Sequence, residues 1–193
     1  MLRTKRFIAI SAAVVAVGFS VSAAIAFKTH PLVNSSHAAW AQVFETADEL
    51  VDHSDLIVLA QAIQSSPSRV AYSENGEDDL PFEAVEFKVL DGVKGIGSNT
   101  TILVERAGGF RADGSKVDID ADGGDFRNGR TYLLFLEWQP DTGMLYQIND
   151  QGRYEVKGRD LIAVEDDEVT TEIHGKRIEE VIDLVRGYMV NTR

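Results

Sequence analysis

The chain has 193 residues, of which 31 are acidic and 19 basic, a formal net charge of −12, and it contains no cysteine. A surface this acidic repels nucleic acid and anionic lipid, so both drop out as partners. Without cysteine there is no disulfide framework, thiolate zinc site or cysteine nucleophile, and the core must stand on apolar burial alone.

The first element is an address. Arg3, Lys5 and Arg6 precede an uncharged apolar run from Phe7 to Phe27. A basic head before such a run is the pattern of an export signal, and a retained helix of this length spans roughly 30 Å, about one bilayer core. Basic residues stay on the cytoplasmic side, which places the rest of the chain outside: secreted, or anchored to the membrane by residues 7–27. Val21-Ser22-Ala23, Ala24-Ile25-Ala26 and Ser36-His37-Ala38 each offer small residues to a signal peptidase, whereas the run is long for a cleaved signal. Both fates stay open. The expected division is therefore 1–28 signal peptide or membrane anchor, 29–44 polar spacer and 45–193 extracytoplasmic domain. Residues 29–193 keep 15 basic and all 31 acidic residues, a net charge of −16. Solubility is the simplest account of that excess.

Thr46-Ala47-Asp48-Glu49 reads as a capping box opening a short helix to about His53. Leu56 to Ile63 begins with four consecutive apolar residues, a strand buried on both faces. Ser65 to Leu80, with Pro67, Gly76 and its acidic run, reads as a loop. In Phe82 to Leu90, Val85, Phe87 and Val89 alternate with Glu86 and Lys88, the period of a half-buried strand. Gly92, Gly95 and Gly97 mark a turn, and Thr100 to Glu105 is the next strand. The glycine-rich stretch from Ala107 to Gly129 holds a small strand at Lys116 to Asp120. Thr131 to Trp138 is strongly apolar and β-prone, hence central. Met144 to Ile148, Arg153 to Val156 and Leu161 to Val164 are short strands. In the closing helix, Lys176 to Met189, the residues Ile178, Val181, Ile182 and Val185 form one apolar stripe that packs on the sheet or barrel. Strands in series with a helix near each end, and no βαβ alternation, predict an α+β, mainly β fold. It is a small antiparallel OB-like barrel with a short N-terminal helix and a C-terminal amphipathic helix, preceded by the signal or anchor helix.

One order of features resembles a known pattern. Ser54-Asp55-Leu56-Ile57-Val58-Leu59-Ala60 is followed by Val89-Leu90-Asp91-Gly92-Val93-Lys94-Gly95. Then come Val104 to Gly109, Phe126-Arg127-Asn128-Gly129-Arg130-Thr131-Tyr132-Leu133-Leu134-Phe135-Leu136, and Asp150-Gln151-Gly152-Arg153-Tyr154. This looks like a group of uncharacterised secreted or membrane-anchored bacterial proteins. More distantly it is similar to the netrin-like module of tissue inhibitors of metalloproteinases, which implies an OB-fold barrel. Those inhibitors chelate the protease zinc through an N-terminal cysteine, which this chain lacks. No functional residue carries over.

Asp118-Ile119-Asp120-Ala121-Asp122-Gly123 matches the first half of a calcium loop, with carboxylates at alternate positions before a glycine turn. Asp118, Asp120 and Asp122 are the candidate metal ligands, and calcium is the one cofactor the sequence admits. The second half departs: Gly129 stands where a bidentate Glu is needed and Asp125 where an apolar residue is usual. The alternative reading makes Val117 and Ile119 inward residues of a short strand with the aspartates in solvent. His30, His37, His53 and His174 are scattered, and no G-x-S-x-G is present, so neither a histidine metal site nor a serine elbow is indicated. Phe110, Phe126, Trp138, Tyr146 and Tyr154 could supply an aromatic binding face, although core packing is the simpler role for most of them. The expectation is a non-catalytic extracytoplasmic binding domain for a protein or cell-envelope component. The alternatives are a calcium-dependent binding module using the 118–125 loop, and an envelope hydrolase with dispersed catalytic residues.

Overall fold

The computed structural model describes residues 33–35, 43–72, 79–118, 125–164 and 168–191. The chain divides into two units, Met1–Pro31 and Leu32–Arg193, and every described residue belongs to the second. The basic head and apolar run of the N-terminal address lie outside the described residues. Among those described, no helix is long and apolar enough to cross a membrane.

The elements in chain order are β1 (Val33–Ser35), α1 (Ala47–His53), β2 (Leu56–Tyr72), β3 (Asp79–Lys94), β4 (Thr101–Ala107), β5 (Gly109–Phe110) and β6 (Lys116–Asp118). There follow β7 (Thr131–Gln139), β8 (Met144–Gln147), β9 (Arg153–Lys157), β10 (Asp160–Ala163), α2 (Glu168–Ile173) and α3 (Ile178–Asn191). The main sheet has the order β10-β9-β7-β2-β3-β4-β8, and β8 also pairs with β7. That last pairing closes β7, β2, β3, β4 and β8 into a five-stranded barrel, compatible with an OB-like fold. The barrel is antiparallel except at β4–β8, which run parallel through Val104↔Leu145 and Glu105↔Tyr146. A separate small sheet has the order β1-β6-β5, with β1 drawn from the segment expected to be spacer.

Closure of so small a barrel leaves room only for side chains. Val58, Ala60, Ala62, Val85, Phe87, Val89, Ile102, Val104, Tyr132, Leu134, Leu136 and Leu145 form this inner core with Phe126. Ala62 stands opposite Phe87 in the register, small against large. Phe87, Phe126 and Tyr132 meet edge to face with centroids 5.0, 5.1 and 6.3 Å apart. A second core lies outside the barrel wall, where Ile57, Leu133, Phe135, Tyr154 and Leu161 meet Leu50 and Val51 of α1, Val169 and Ile173 of α2, and Val181, Ile182 and Val185 of α3. From Leu56 to Ala60 and from Tyr132 to Leu136, β2 and β7 serve one core with each face, which is why these runs are continuously apolar. The stripe of α3 packs on this wall, as its spacing predicts.

The turn after β3 shows why its glycines are needed. A Cβ on Gly92 would lie 1.8 Å from the carbonyl oxygen of Ile96, and Gly95 has φ +81 with the Asp55 carbonyl 2.5 Å from its notional Cβ. Only glycine lets these backbones approach.

Two local expectations differ from the structure, and one helix was not expected. The expected loop from Ser65 to Leu80 is strand at both ends, because β2 continues to Tyr72 and β3 starts at Asp79, and the two pair as a long arm; residues 73–78 lie outside the described residues. Thr46 makes no side-chain cap bond; the Glu49 carboxylate instead accepts the Glu45 N–H at 3.1 Å. The short helix α2 has too few turns for an apolar stripe to be legible in the sequence.

Candidate functional site

The arm is bent by bulges. The register steps between Pro67↔Glu83 and Val70↔Pro81, so Ser68 and Arg69 together oppose Phe82. A bulge re-aims neighbouring side chains, and here both reach Glu105 of β4. The Glu105 carboxylate accepts from Ser68 Oγ, from Tyr146 OH, and from Arg69 Nε at 3.0 Å. Arg69 also donates to Tyr146 OH at 2.7 Å and lies 3.8 Å over the Phe82 ring. The Glu105 side chain is wholly buried, whereas that of Arg69 is 38 % exposed. This node fastens the arm to the barrel wall with charge-assisted bonds.

The next residue, Arg106, is also buried and points the other way, as strand alternation requires. Its Nη1 donates to Asp125 Oδ1 at 2.7 Å, and Lys116 Nζ donates to Asp125 Oδ2. Burial pushes the Asp125 carboxyl up, but the Lys116 hydrogen bond and the Arg106 charge outweigh it and hold its pKa below the ordinary value. Ser65, Glu83, Val85, Arg106, Asp125, Phe126 and Asn128 line a cleft of about 270 Å³ here. Phe126 closes the barrel beneath it, with the buried Arg153 guanidinium 4.8 Å from its ring on another side. Both oxygens of Asp125 are committed to cations, so this acid of the calcium-like loop serves an ion-pair cluster.

Asp120 and Asp122 lie outside the described residues, as does the side chain of Asp118, whose backbone ends β6. Among the described residues, no three His, Cys, Asp or Glu side chains gather as a metal site would require. The five aromatic candidates do not form a common face. Phe126 and Tyr154 are buried, Tyr146 is held by Glu105, and only Phe110 and Trp138 are exposed, on different sheets. His53 lies 3.9 Å from Glu137, and His174 accepts the Ala163 N–H through Nδ1. Glu105, Arg106 and Arg69 were missed by sequence reasoning, because their side-chain hydrogen-bond partners lie 19 to 77 residues away. The one available signal was the adjacent Glu105-Arg106 pair at the end of an apolar strand.

This arrangement offers a braced strand arm with apolar side chains in solvent, beside a small cleft lined by both signs of charge. No protein-family model, curated protein or solved structure matches the chain.

Proposed function

We propose that the chain is a non-catalytic extracytoplasmic domain that binds a protein or another component of the cell envelope. The observation that carries this reading is the arm. Strand β2 pairs with β7 only from Leu56 to Gln61, yet it continues eleven residues further, with Val70 40 % and Tyr72 71 % exposed. Barrel closure does not need that length, and exposed apolar groups on a rigid projection are the kind of surface that partners bury. The basic head and apolar run support the location. The netrin-like resemblance supplies a barrel and no ligand.

The test is a crosslinking pull-down from native cell envelopes with the full chain as bait, with and without calcium. One dominant partner in both conditions is expected. A partner seen only with calcium would move the site to Asp118, Asp120 and Asp122. No partner in either condition would overturn the reading.

A further inference from the structure

We propose that the outer edge of β2, from Ser66 to Tyr72, receives an extended segment of a partner protein as an added strand, and that this segment carries lysine or arginine. The inference rests on the binding reading above and names the partner's chemistry.

The backbone supplies the first argument. Beyond the Ala62 N–H bond to the Arg130 carbonyl, the side of β2 facing away from β3 has no strand neighbour among the described residues. Val70 stands opposite Pro81, which has no N–H and whose carbonyl accepts the Gly108 N–H on the far side of β3. Val70 therefore exchanges no backbone bond with Pro81 and turns its own N–H and C=O outward. Two residues on, Tyr72 repeats that orientation by the period of the strand. Main-chain groups aimed at solvent along an ordered strand are the template for strand addition.

Pre-organisation is the second argument. Ser68 and Arg69 are tied to the buried Glu105, so the edge is ordered before anything binds. That removes part of the ordering cost that a flexible hairpin would meet on association. Pro67 and the bulge beside it break the edge at one point, which blocks indiscriminate pairing and confines the usable stretch to its distal half.

Charge selects the occupant. From Ile63 to Glu86 the sequence holds Glu74, Glu77, Asp78, Asp79, Glu83 and Glu86 against one basic residue, Arg69, already paired with Glu105. Asp79 is offset by Arg111 at 2.6 Å and Glu83 lines the cleft with Arg106, yet from Ile63 to Glu86 the sequence still holds more acidic than basic residues. A second copy, with a net charge of −12, would be repelled. A basic strand is attracted, and exposed Tyr72 offers its ring to a cation.

The experiment places a photo-crosslinking amino acid at Val70 in the full chain, with Phe110 and Val190 as control positions, in cells that make the protein. Adducts from Val70 that map to an extended basic segment of one partner are expected. A synthetic peptide of that segment should bind, and exchanging its basic residues for glutamate should weaken binding about tenfold or more. Val70→Pro removes an outward N–H that no described strand accepts but also restricts Arg69 before it, so its melting temperature is measured beside that of the parent while peptide affinity should fall by a similar factor. Tyr72→Lys, which leaves the backbone intact, should also weaken binding. Capture only from Phe110 or Val190 would overturn strand addition and leave the binding reading standing. Adducts to a second copy, or peptide binding indifferent to Val70→Pro and to charge, would also overturn it. No adduct from any position would remove both.

Discussion

Glu105 and Arg106 are consecutive charged residues, both buried, and each is satisfied by a different part of the chain. An isolated buried charge is too costly to persist, so these two are legible only as halves of larger arrangements. Glu105→Gln keeps the shape and removes the charge that Arg69, Ser68 and Tyr146 converge on. It should lower unfolding free energy by about 2 kcal/mol, and Tyr146→Phe, which deletes one hydroxyl, by about 1 kcal/mol. Because the two share a hydrogen bond, the double variant should lose less than the sum of the singles. Urea titrations of all four proteins check this. Strict additivity would mean that the hydroxyl and the carboxylate do not act on each other.

At the scale of elements, one side chain does the work of a strand. The Gln151 amide accepts the Phe44 N–H at 2.9 Å and donates to the Phe44 carbonyl at 3.0 Å, while Asn149 Nδ2 donates to its Oε1. It thereby pins the segment that leads into α1 and seats Phe44 in the outer core. Gln151→Ala should cost about 1–2 kcal/mol. It should speed amide hydrogen exchange at Phe44 far more than at Leu134 in the barrel wall. Unchanged protection at Phe44 would show that packing alone holds the segment. The elements that the sequence makes legible are those with a buried face. Phe82 to Leu90 alternates because one side faces the barrel interior, and Tyr132 to Leu136 is apolar throughout because both sides are covered. The arm strand from Ser65 to Tyr72 was illegible for the same physical reason. Both of its faces carry exposed residues, hydrophobic periodicity falls silent, and Ser65-Ser66-Pro67-Ser68 resembles a turn. Pro67 survives in that strand because it sits on an edge where no ladder bond is asked of it. The Glu105 node was hidden differently, since polar contacts across long sequence separations leave no local pattern.

For the whole molecule, acid response follows from two opposing effects. Net charge at neutral pH is −12, and the isoelectric point is near 4.7. Lowering the pH toward that value relieves self-repulsion and favours the compact state. Asp125 acts the other way. Its folded pKa lies below the ordinary 3.8, so the unfolded chain binds its proton first as acid is added. The stability it contributes is complete above the unfolded value and is lost as pH falls through the folded one. The carboxylate is 45 % exposed, and solvent screening limits that contribution to about 1 kcal/mol. Stability should therefore hold or rise slightly from pH 7 to about 5 and then fall below about 4. Asp125→Asn leaves the buried Arg106 less compensated and should be the less stable protein at pH 7. The gap between variant and parent should narrow as pH drops below 4, because the parent then loses the same charge. Chemical denaturation at intervals between pH 7 and pH 2.5 measures that gap directly. A gap that stays constant to the acid end would mean that the Arg106–Asp125–Lys116 cluster is held by shape and not by the carboxylate's charge.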